Sequence, residues 1–312
     1  MIKPKVLHID ENHPLLLDGL ESLGYQNILA YDTPLSKLLP KLQQYRGVIV
    51  RSRFPINKEF LDKAVNLKFI ARVGAGLENI DISYAEKMDV DLISAPEGNR
   101  NAVGEHALGM LLGLMNKIRL GHESIRDGFW LREKHRGWEL EGKTVGIIGY
   151  GNNGSAFAQL LRGFNVTILA YDKYLKDYSY KSTMESIFKY SDIVSLHIPL
   201  LLETKYLVDD NFINSFKKDI YLINTARGKC ANTKDLVVAL ESGKIKGACL
   251  DVLEYEKTSF ENLSKEGLNS DMKYLIDSKS IILSPHIAGW TQESNVKIAK
   301  VLFNKFISDF PQ

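Results

Sequence analysis

The feature that most constrains the fold of this chain is the segment at residues 144–172, TVGIIGYGNNGSAFAQLLRGFNVTILAYD. A short apolar run ends in a glycine-rich turn, a stripe with helical spacing follows, and a second run rich in β-branched residues ends at Asp172. This order of strand, glycine turn, helix, strand and acid is typical of a unit that binds a dinucleotide, although a glycine turn can also be purely structural.

Each glycine of the turn has its own physical task. Gly149 permits the tight turn, Gly151 lets a pyrophosphate approach the backbone, and Gly154 lets the helix pack closely on the strand. Asn152 and Asn153 stand at the start of the helix, where free N–H groups and a partial positive charge favour phosphates. We therefore expect these five residues to contact the cofactor.

Asp172 stands 18 residues after Gly154 and can accept hydrogen bonds from the ribose of an adenosine. Its charge would repel a 2′-phosphate, so we expect NAD rather than NADP. The neighbouring Lys173 weakens this preference without reversing it. The alternative is that Asp172 caps the segment that follows it.

The composition indicates a soluble globular enzyme. The 312 residues allow about two domains, and 45% hydrophobic with 25% charged residues is an ordinary balance. A net charge of +2 gives no electrostatic case for a nucleic-acid partner. The longest apolar run, residues 107–115, is too short for a membrane span, and the N-terminus lacks a signal-peptide core. We expect a cytoplasmic protein with no membrane partner.

Two cysteines, Cys230 and Cys249, lie far apart and form no metal or redox spacing. A disulfide between them is possible, but we expect reduced, buried thiols and no bound metal.

Residues 1–101 alternate short β runs with helical segments, which predicts a parallel sheet flanked by helices. The predicted strands are residues 5–9, 27–31, 48–50, 69–73 and 90–93, and the predicted helices include 15–23 and 58–65. No glycine-rich loop follows the first strand, so we expect the cofactor in the other half.

From residue 142 the pattern restarts with predicted strands at 145–148, 166–171, 193–197, 220–224, 248–251 and 281–283. Strands that begin at a glycine fingerprint suit a doubly wound dinucleotide-binding fold. We predict a helix over 233–242, with Thr233 as its N-cap and Gly243 as its C-terminal stop. The polar stretch 257–280 is typical of a surface insertion with one short helix around 272–276.

Two long helical stripes, over 103–118 and 296–306, connect the halves. No predicted strand follows residue 283, so the last helix would return to the first domain and make it discontinuous. We predict an α/β protein with two doubly wound parallel-sheet domains and a cleft between them. A flavodoxin-like substrate domain would comprise 1–101 and 288–312, and a Rossmann NAD-binding domain 102–287.

Polar groups follow the predicted strands of the second half, at the ends where open α/β sheets bind ligands. Asn224-Thr225-Ala226-Arg227-Gly228 follows one strand, Asp251 ends the next with Glu254 and Glu256 after it, and Ser284-Pro285-His286 follows the last. An arginine, a carboxylate and a histidine on neighbouring strand ends could therefore converge.

With these residues in view, the chain resembles the D-isomer-specific 2-hydroxyacid dehydrogenases across nearly its whole length. The segments that carry the resemblance are RSR, RVGAGLENID, VGEHALGMLL, GKTVGIIGYGNNG, SLHIPLLLET, NTARG, LDVLEYE and SPHIAG. The first two segments look most like short D-3-phosphoglycerate dehydrogenases.

The resemblance implies catalytic roles for Arg227, Glu256 and His286. Arg227 would bind the substrate carboxylate and polarise the keto oxygen. His286 would donate the proton in reduction and accept it in oxidation, and Glu256 would hydrogen-bond His286 and favour its imidazolium form. These roles suit hydride transfer, since the hydroxyl must lose a proton as hydride leaves the same carbon.

The resemblance also implies binding residues. Asp251 would contact the nicotinamide carboxamide, His197 would shape the wall of the cofactor site, and further cofactor contacts would come from Pro199, Thr204, Thr225 and Ala226. Backbone N–H groups of Gly74, Ala75 and Gly76 would receive the substrate carboxylate.

The segment Arg51-Ser52-Arg53 follows a predicted strand, so the two arginines would share a face. We expect Arg53, helped by Arg51, to hold the phosphate of D-3-phosphoglycerate. The alternative is that these arginines make structural salt bridges.

Two other functions stay open: a hydroxypyruvate or glyoxylate reductase, and an NAD-binding scaffold like the corepressors related to this family. The resemblance implies a homodimer with residues 103–118 and 128–140 near its interface, where Trp130 and Trp138 would supply contacts or else pack in the core. His106 lies on an apolar helix face and is expected to be a packed core histidine. Because the chain ends at Gln312, we expect no C-terminal regulatory domain.

Overall fold

The computed structural model describes residues 3–256 and 268–309. The chain divides into two compact units, one formed by Met1–Asn99 with Trp290–Gln312 and the other by Arg100–Gly289. The first unit is thus built from both ends of the chain.

The first unit contains a parallel sheet of five strands in the order β2-β1-β3-β4-β5. The strands are β1 Lys5–His8, β2 Gln26–Leu29, β3 Tyr45–Val50, β4 Phe69–Arg72 and β5 Asp91–Ser94. The helices that flank it are α1 Pro14–Ser22, α2 Leu35–Leu38, α3 Lys58–Lys63 and α4 Ile82–Lys87. The central strand β3 reads as an almost continuous apolar run, as expected for a strand covered on both faces.

The C-terminal helix of the described chain, α12 (Gln292–Asp309), packs on α1. A Cβ atom on Gly19 would lie only 2.6 Å from the ring of Phe303, so the small residue admits the aromatic one. Phe306 is fully buried, and its ring meets that of Phe69 edge-on at 4.8 Å between centroids. This packing confirms that the last helix returns to the first domain.

The helix α5 (Pro96–Met115) carries the chain from the first unit into the second. It ends earlier than the predicted stripe over 103–118, because Lys117 adopts a left-handed backbone conformation with φ of 52°. A separate helix, α6 (Ile118–Arg126), then begins, and none of its residues is buried.

The second unit contains a parallel sheet of six strands in the order β11-β10-β9-β8-β6-β7. They are β6 Thr144–Ile148, β7 Thr167–Tyr171, β8 Ile193–Leu196, β9 Ile220–Asn224, β10 Ile245–Leu250 and β11 Ile281–Leu283. The helices that follow α6 are α7 Asn152–Leu161, α8 Met184–Tyr190, α9 Asp210–Ser215, α10 Thr233–Glu241 and α11 Ser270–Asp277. Because β6 lies between β7 and β8, the direction of winding reverses beside it, and such switch points bind ligands.

The N-cap of α10 is Asn232, so the prediction of Thr233 was wrong. The Asn232 side chain accepts hydrogen bonds from the N–H groups of Lys234 and Asp235 at 3.0 and 3.3 Å. Asparagine and threonine both suit the N-cap, and sequence alone did not discriminate between neighbours. The stop at Gly243 is confirmed, with φ of 79°.

Both cysteines are buried, as expected, and burial raises the pKa of Cys249. Within residues 3–256 and 268–309, no helix combines the length and apolar character that a bilayer crossing requires. The predicted insertion contains α11, while its residues 257–267 lie outside the described part of the chain.

Candidate active site

The turn between β6 and α7 has the geometry that its glycines predict. Gly149 has φ of 88°, and a Cβ atom there would lie 2.4 Å from the carbonyl oxygen of His197. A Cβ on Gly154 would lie 2.0 Å from the carbonyl oxygen of Gly149. A Cβ on Gly151 would meet no heavy atom within 4 Å. The first two glycines are therefore required by the fold, whereas Gly151 leaves open space for a ligand.

Gly151 is the N-cap of α7, and no side chain of the described residues caps this helix end. The first N–H groups of a helix lack intrahelical acceptors, and they combine with the helix dipole to attract anions. Asn152 and Asn153 form the first turn of this ten-residue helix. The open space at Gly151 adjoins this helix end, so backbone and dipole favour a phosphate there.

A cavity of about 430 Å³ lies beside this turn at the switch point. It is lined mainly by apolar side chains, among them Ile148, Tyr171, Met184, Phe188, Leu207 and Phe212. Its polar edge is formed by Asp172, Lys173, His197, Glu203 and Thr204, and Pro199 also lines it. An apolar pocket with a polar edge suits a flat heterocycle joined to a ribose.

Three expected cofactor residues carry buried polar atoms that have no hydrogen-bond partner within the described part of the chain: Oδ1 of Asn153, Nδ1 of His197 and Oγ1 of Thr225. A buried polar atom without a partner costs about 1–3 kcal/mol. Burial lowers the pKa of His197 to about 4, so its ring is neutral at neutral pH. A polar ligand that satisfied such atoms would gain affinity, and the residues present therefore fit a dinucleotide.

Asp172 ends β7 at the rim of the cavity. Its carboxylate accepts N–H groups from Tyr150 at 2.8 Å, Tyr174 at 2.9 Å and Leu175 at 3.0 Å. Burial alone would raise the pKa of Asp172, but these three donors outweigh it and lower the pKa. Asp172 thus caps the segment after it, which was the alternative, and it presents a negative charge to the cavity as well.

Thr204 shapes the loop that forms the other side of the cavity. Its hydroxyl donates to the carbonyl oxygen of Pro199 at 2.6 Å and accepts the N–H of Leu201 at 2.7 Å. These bonds hold the loop that follows β8 against the cavity.

The turn after β9 presents Arg227. The side chain of Asn224 accepts the N–H of Ala226 at 3.1 Å and donates to the carbonyl oxygen of Arg227 at 3.0 Å. A Cβ on Gly228 would lie 2.0 Å from the carbonyl oxygen of Leu253, so this turn packs directly on the loop after β10. Sequence alone did not predict that the side chain of Asn224, the first residue of the NTARG segment, would hold this turn.

Asp251 holds the turn after β11 in place. Its side chain, 1% exposed, accepts bonds from the hydroxyl of Ser284 at 2.5 Å and from the N–H groups of Ile287 and Ala288 at 2.9 and 2.8 Å. Its carbonyl oxygen accepts the N–H of His286 at 2.8 Å. His286 adopts φ of 56°, an uncommon conformation for a residue with a side chain.

The expectation for His106 was wrong, because its side chain lies beside the carboxylate of Asp251. Instead of packing as an apolar core histidine, His106 is half-buried, and its Nε2 lies 2.8 Å from the hydroxyl of Ser284 and 3.5 Å from Asp251. Burial would raise the pKa of Asp251, but His106, Ser284 and two backbone N–H groups together lower it. A histidine spaced with the apolar stripe cannot reveal a partner 178 residues away.

Glu256 and Glu254 have different partners. Oε2 of Glu256 lies 3.1 Å from Nδ1 of His286. Glu254 instead accepts the hydroxyl of Tyr206 at 2.7 Å and the N–H of Thr233 at 2.9 Å. Burial tends to raise the pKa of Glu254, but its bonds with Thr233 and Tyr206 lower it. The carboxylate beside the histidine is therefore that of Glu256.

The expected substrate residues follow the adjacent strands β3 and β4 of the first unit. Arg53 donates to the carbonyl oxygens of Ile9, Ala30 and Thr33 at 3.3, 2.8 and 3.1 Å. Within the described residues the partners of this guanidinium are thus backbone carbonyl oxygens, and not the carboxylates of the salt bridges that were the alternative. Ser52 is half-buried between the two arginines in sequence.

Arg51 is held differently from Arg53. Its guanidinium stacks over the ring of Trp290 at 4.5 Å and donates to the carbonyl oxygen of Glu11 at 3.2 Å. Burial lowers the pKa of Arg51, although Asp10 and Glu11 oppose this, and an arginine stays charged in any case.

The loop after β4 begins with Gly74 in a conformation that only glycine adopts readily, with φ of 142°. A Cβ there would overlap the guanidinium of Arg72. Ala75 and Gly76, which follow, are partly exposed, so this loop reaches the surface of the first unit.

The glycine turn, the switch-point cavity and the ionised Asp172 define the second unit as a dinucleotide-binding fold. The sequence profile of the D-isomer specific 2-hydroxyacid dehydrogenase NAD binding domain matches residues 108–288. The chain belongs to the D-isomer-specific 2-hydroxyacid dehydrogenase family, and its cofactor is NAD.

Relatives in this family carry different names. A D-3-phosphoglycerate dehydrogenase from Bacillus subtilis (strain 168) is 35% identical over 265 residues, which cover 83% of this chain. A hydroxypyruvate reductase from Thermotoga maritima is 30% identical over 304 residues, which cover 96% of this chain and 95% of that protein. The chain spans about half the length of the phosphoglycerate dehydrogenases, 48% of the Bacillus protein and 57% of one from Archaeoglobus fulgidus.

A solved structure has the same fold over both units. A D-lactate dehydrogenase from Aquifex aeolicus, complexed with NAD and lactic acid, has a TM-score of 0.83 and 26% identity, and the match covers 98% of this chain and 96% of that one. The predicted fold class, two parallel-sheet α/β domains, is confirmed.

The turn glycines give a matched pair of variants. We expect Gly151→Ala to leave the melting temperature almost unchanged, because its methyl group enters open space, and to weaken NADH binding by about tenfold or more where it meets the pyrophosphate. Gly154→Ala should lower the melting temperature strongly, because its methyl group would overlap backbone. Calorimetric melting and fluorescence titration with NADH measure both effects. Unchanged NADH affinity in Gly151→Ala would contradict the assignment.

Proposed function

We propose that this protein is an NAD-dependent oxidoreductase that transfers a hydride between nicotinamide and carbon 2 of a D-2-hydroxy acid or 2-keto acid. The observation that carries the proposal is the contact of 3.1 Å between His286 Nδ1 and Glu256, on a turn that Asp251 holds rigidly. The nicotinamide, when bound, supplies or accepts the hydride, and the residues of the chain supply the proton and the charges.

His286 is the proposed acid and base. With Nδ1 toward the Glu256 carboxylate, proton exchange with the substrate oxygen would take place at Nε2. The carboxylate stabilises the charged imidazolium through a charge-assisted hydrogen bond. In reduction the imidazolium donates its proton to the keto oxygen, and in oxidation the neutral ring accepts the hydroxyl proton.

Arg227 is the proposed electrophilic group. Its main chain is fixed by Asn224, and it follows β9, the neighbour of β10 in the sheet. A guanidinium beside the keto oxygen would stabilise the negative charge that develops there in reduction. It can also grip a carboxylate with two parallel N–H bonds.

Turnover of a panel of 2-keto acids with NADH tests the function. We expect 3-phosphohydroxypyruvate, hydroxypyruvate, glyoxylate or pyruvate to consume NADH, with the best substrate identified by kcat/KM from absorbance. His286→Gln should lower kcat by about 100-fold or more, because the proton donor is lost, and should leave NADH affinity within about twofold.

The two neighbouring glutamates provide the control. Glu256→Gln should lower kcat, because the carboxylate that lies against Nδ1 of His286 and stabilises the charge on its ring is lost. Glu254→Gln should lower the melting temperature through its bonds to Tyr206 and Thr233 and leave kcat nearly intact. No turnover with any acid, combined with tight NADH binding, would favour the scaffold role of the related corepressors instead.

We further propose D-3-phosphoglycerate as the substrate, which would place the reaction in serine biosynthesis. The support is the pair of arginines after β3 and the 35% identity with a D-3-phosphoglycerate dehydrogenase. The hydroxypyruvate reductase from Thermotoga maritima, matched over 95% of its length, favours hydroxypyruvate or glyoxylate as the alternative substrate. Gly74, Ala75 and Gly76 would receive the carboxylate that both kinds of substrate share.

Arg53 decides between these substrates. We expect Arg53→Ala to raise KM for the phosphorylated acid at least about tenfold more than KM for an unphosphorylated one. Because Arg53 also donates to three backbone carbonyls, the melting temperature of the Arg53→Ala variant should fall. Arg53→Lys keeps the charge without the planar fork, so it should restore part of the phosphate preference. Equal KM increases for both acids, in both variants, would show that Arg53 has a structural role alone.

We propose that the protein is a homodimer. The exposed fractions of Phe129, Trp130 and Trp138 are 58%, 77% and 61%, and these side chains cluster in a segment after α6, so neither tryptophan packs in a core. Large exposed aromatic groups are typical of the centre of an interface.

The molar mass in solution tests the dimer. We expect light scattering after gel filtration to give twice the mass of one chain, and Trp130→Ser with Trp138→Ser to shift the protein toward the monomer. Leu202→Ser is the control, because Leu202 is 97% exposed and lies outside this segment. A wild-type monomer, or a double variant with unchanged mass, would refute the dimer interface.

A further inference from the structure

Two loops at the rim of the cavity are joined by one carboxylate. Glu203, on the loop after β8, contacts the ammonium group of Lys173 through one oxygen and the hydroxyl of Tyr174 through the other. Lys173 and Tyr174 follow Asp172 on the loop after β7, and all four residues line the cavity. We call the contacts among Lys173, Tyr174 and Glu203 the rim clamp.

At this rim the ammonium group of Lys173 is already paired with the carboxylate of Glu203. Among the described residues that line the cavity, Lys173 is the only lysine or arginine, and His197 is neutral at neutral pH. Hydrogen bonding to Lys173, and then to Tyr174, lowers the pKa of Glu203, and the bond to Glu203 raises the pKa of Lys173. At neutral pH the rim therefore carries two carboxylates, those of Asp172 and Glu203, and one ammonium group.

We propose that Glu203 is a specificity-determining residue that makes the protein select NAD over NADP. Asp172 repels a 2′-phosphate directly, whereas Glu203 acts through Lys173 by occupying the cation that a 2′-phosphate would need. This inference rests on the proposed position of the adenosine ribose at Asp172.

The position of Lys173 directly after Asp172 explains why Glu203 is needed in addition to Asp172. A lysine directly after the ribose-binding acid would by itself attract a 2′-phosphate and offset the charge of Asp172. The contact with Glu203 engages that lysine in an ion pair, so its charge is already partly balanced before a phosphate arrives. Tyr174 fixes the second carboxylate oxygen, so the ion pair keeps one orientation.

Binding measurements separate this role from catalysis. The probes are NADH, NADPH, 5′-AMP and adenosine 2′,5′-bisphosphate, with dissociation constants from calorimetry. Glu203→Gln keeps the size of the side chain and removes its charge, and the exposed position makes correct folding the expected outcome, checked by melting temperature. We expect this variant to bind NADPH and the bisphosphate about tenfold more tightly, with NADH and 5′-AMP changed less than about twofold.

We expect the tighter NADPH binding of Glu203→Gln to depend on the charge of Lys173. The double variant Glu203→Gln with Lys173→Met should return the ratio of NADPH to NADH affinity to that of the wild type, and added salt should reduce the gain of the single variant. Glu203→Ser, which also removes the carboxylate, should behave like Glu203→Gln and serves if the latter does not fold.

The chain supplies a matched control on α3 and α4. There Asp62 contacts Lys58 at 2.8 Å and the hydroxyl of Tyr84, so the same three chemical groups meet among residues of the first unit that do not line the cavity. Asp62→Asn should change none of the four dissociation constants. An unchanged NADPH to NADH ratio in Glu203→Gln, or a gain that persists without Lys173, overturns the proposal. Loss of keto-acid turnover with the expected binding shifts would refute the proposed reaction and leave this inference intact.

Discussion

The buried carboxylate of Asp251 is the constraint on which the rest of the active site depends. A carboxylate with 1% exposure is tolerated only if its oxygens are fully hydrogen-bonded, and the turn at 284–288 supplies one hydroxyl and two N–H donors. Satisfying Asp251 therefore dictates the path of that turn. The path in turn sets the left-handed conformation of His286 and directs Nδ1 toward Glu256. The hydrogen bonds that the buried Asp251 carboxylate requires thus also orient His286, the proposed acid and base.

The cofactor half of the site depends on close backbone approach rather than on charge. Gly149 and Gly154 occupy space where a methyl group would overlap a carbonyl oxygen, so β6, α7 and the end of β8 are drawn together at one point. Because β6 lies between β7 and β8, the same point is the switch of the sheet, and the cavity opens beside it. The start of α7, the acid at the rim and the apolar pocket thus arise from a single packing arrangement.

Sequence patterns predicted elements well where the signal is local. The apolar runs at 220–224 and 281–283 match β9 and β11, because a buried parallel strand must be apolar throughout. Predictions failed where competition between neighbours or distant residues decided the outcome. The N-cap of α10 fell on Asn232, and α5 ended at Met115 because Lys117 turned the chain. His106 was mistaken for a core residue because its partners come from another strand end.

The sequence by itself determined the class of fold, the glycine turn and the chemical groups available, because each of these depends on spacing within a short segment. Only the tertiary structure decided how those groups are used. It paired His286 with Glu256 while Glu254 anchors α10, and it engaged Arg53 with three backbone carbonyls. It also joined Lys173 to Glu203 across two loops. Such pairings depend on which strand ends become neighbours in the sheet, and no local pattern encodes the distance between residues far apart in the chain.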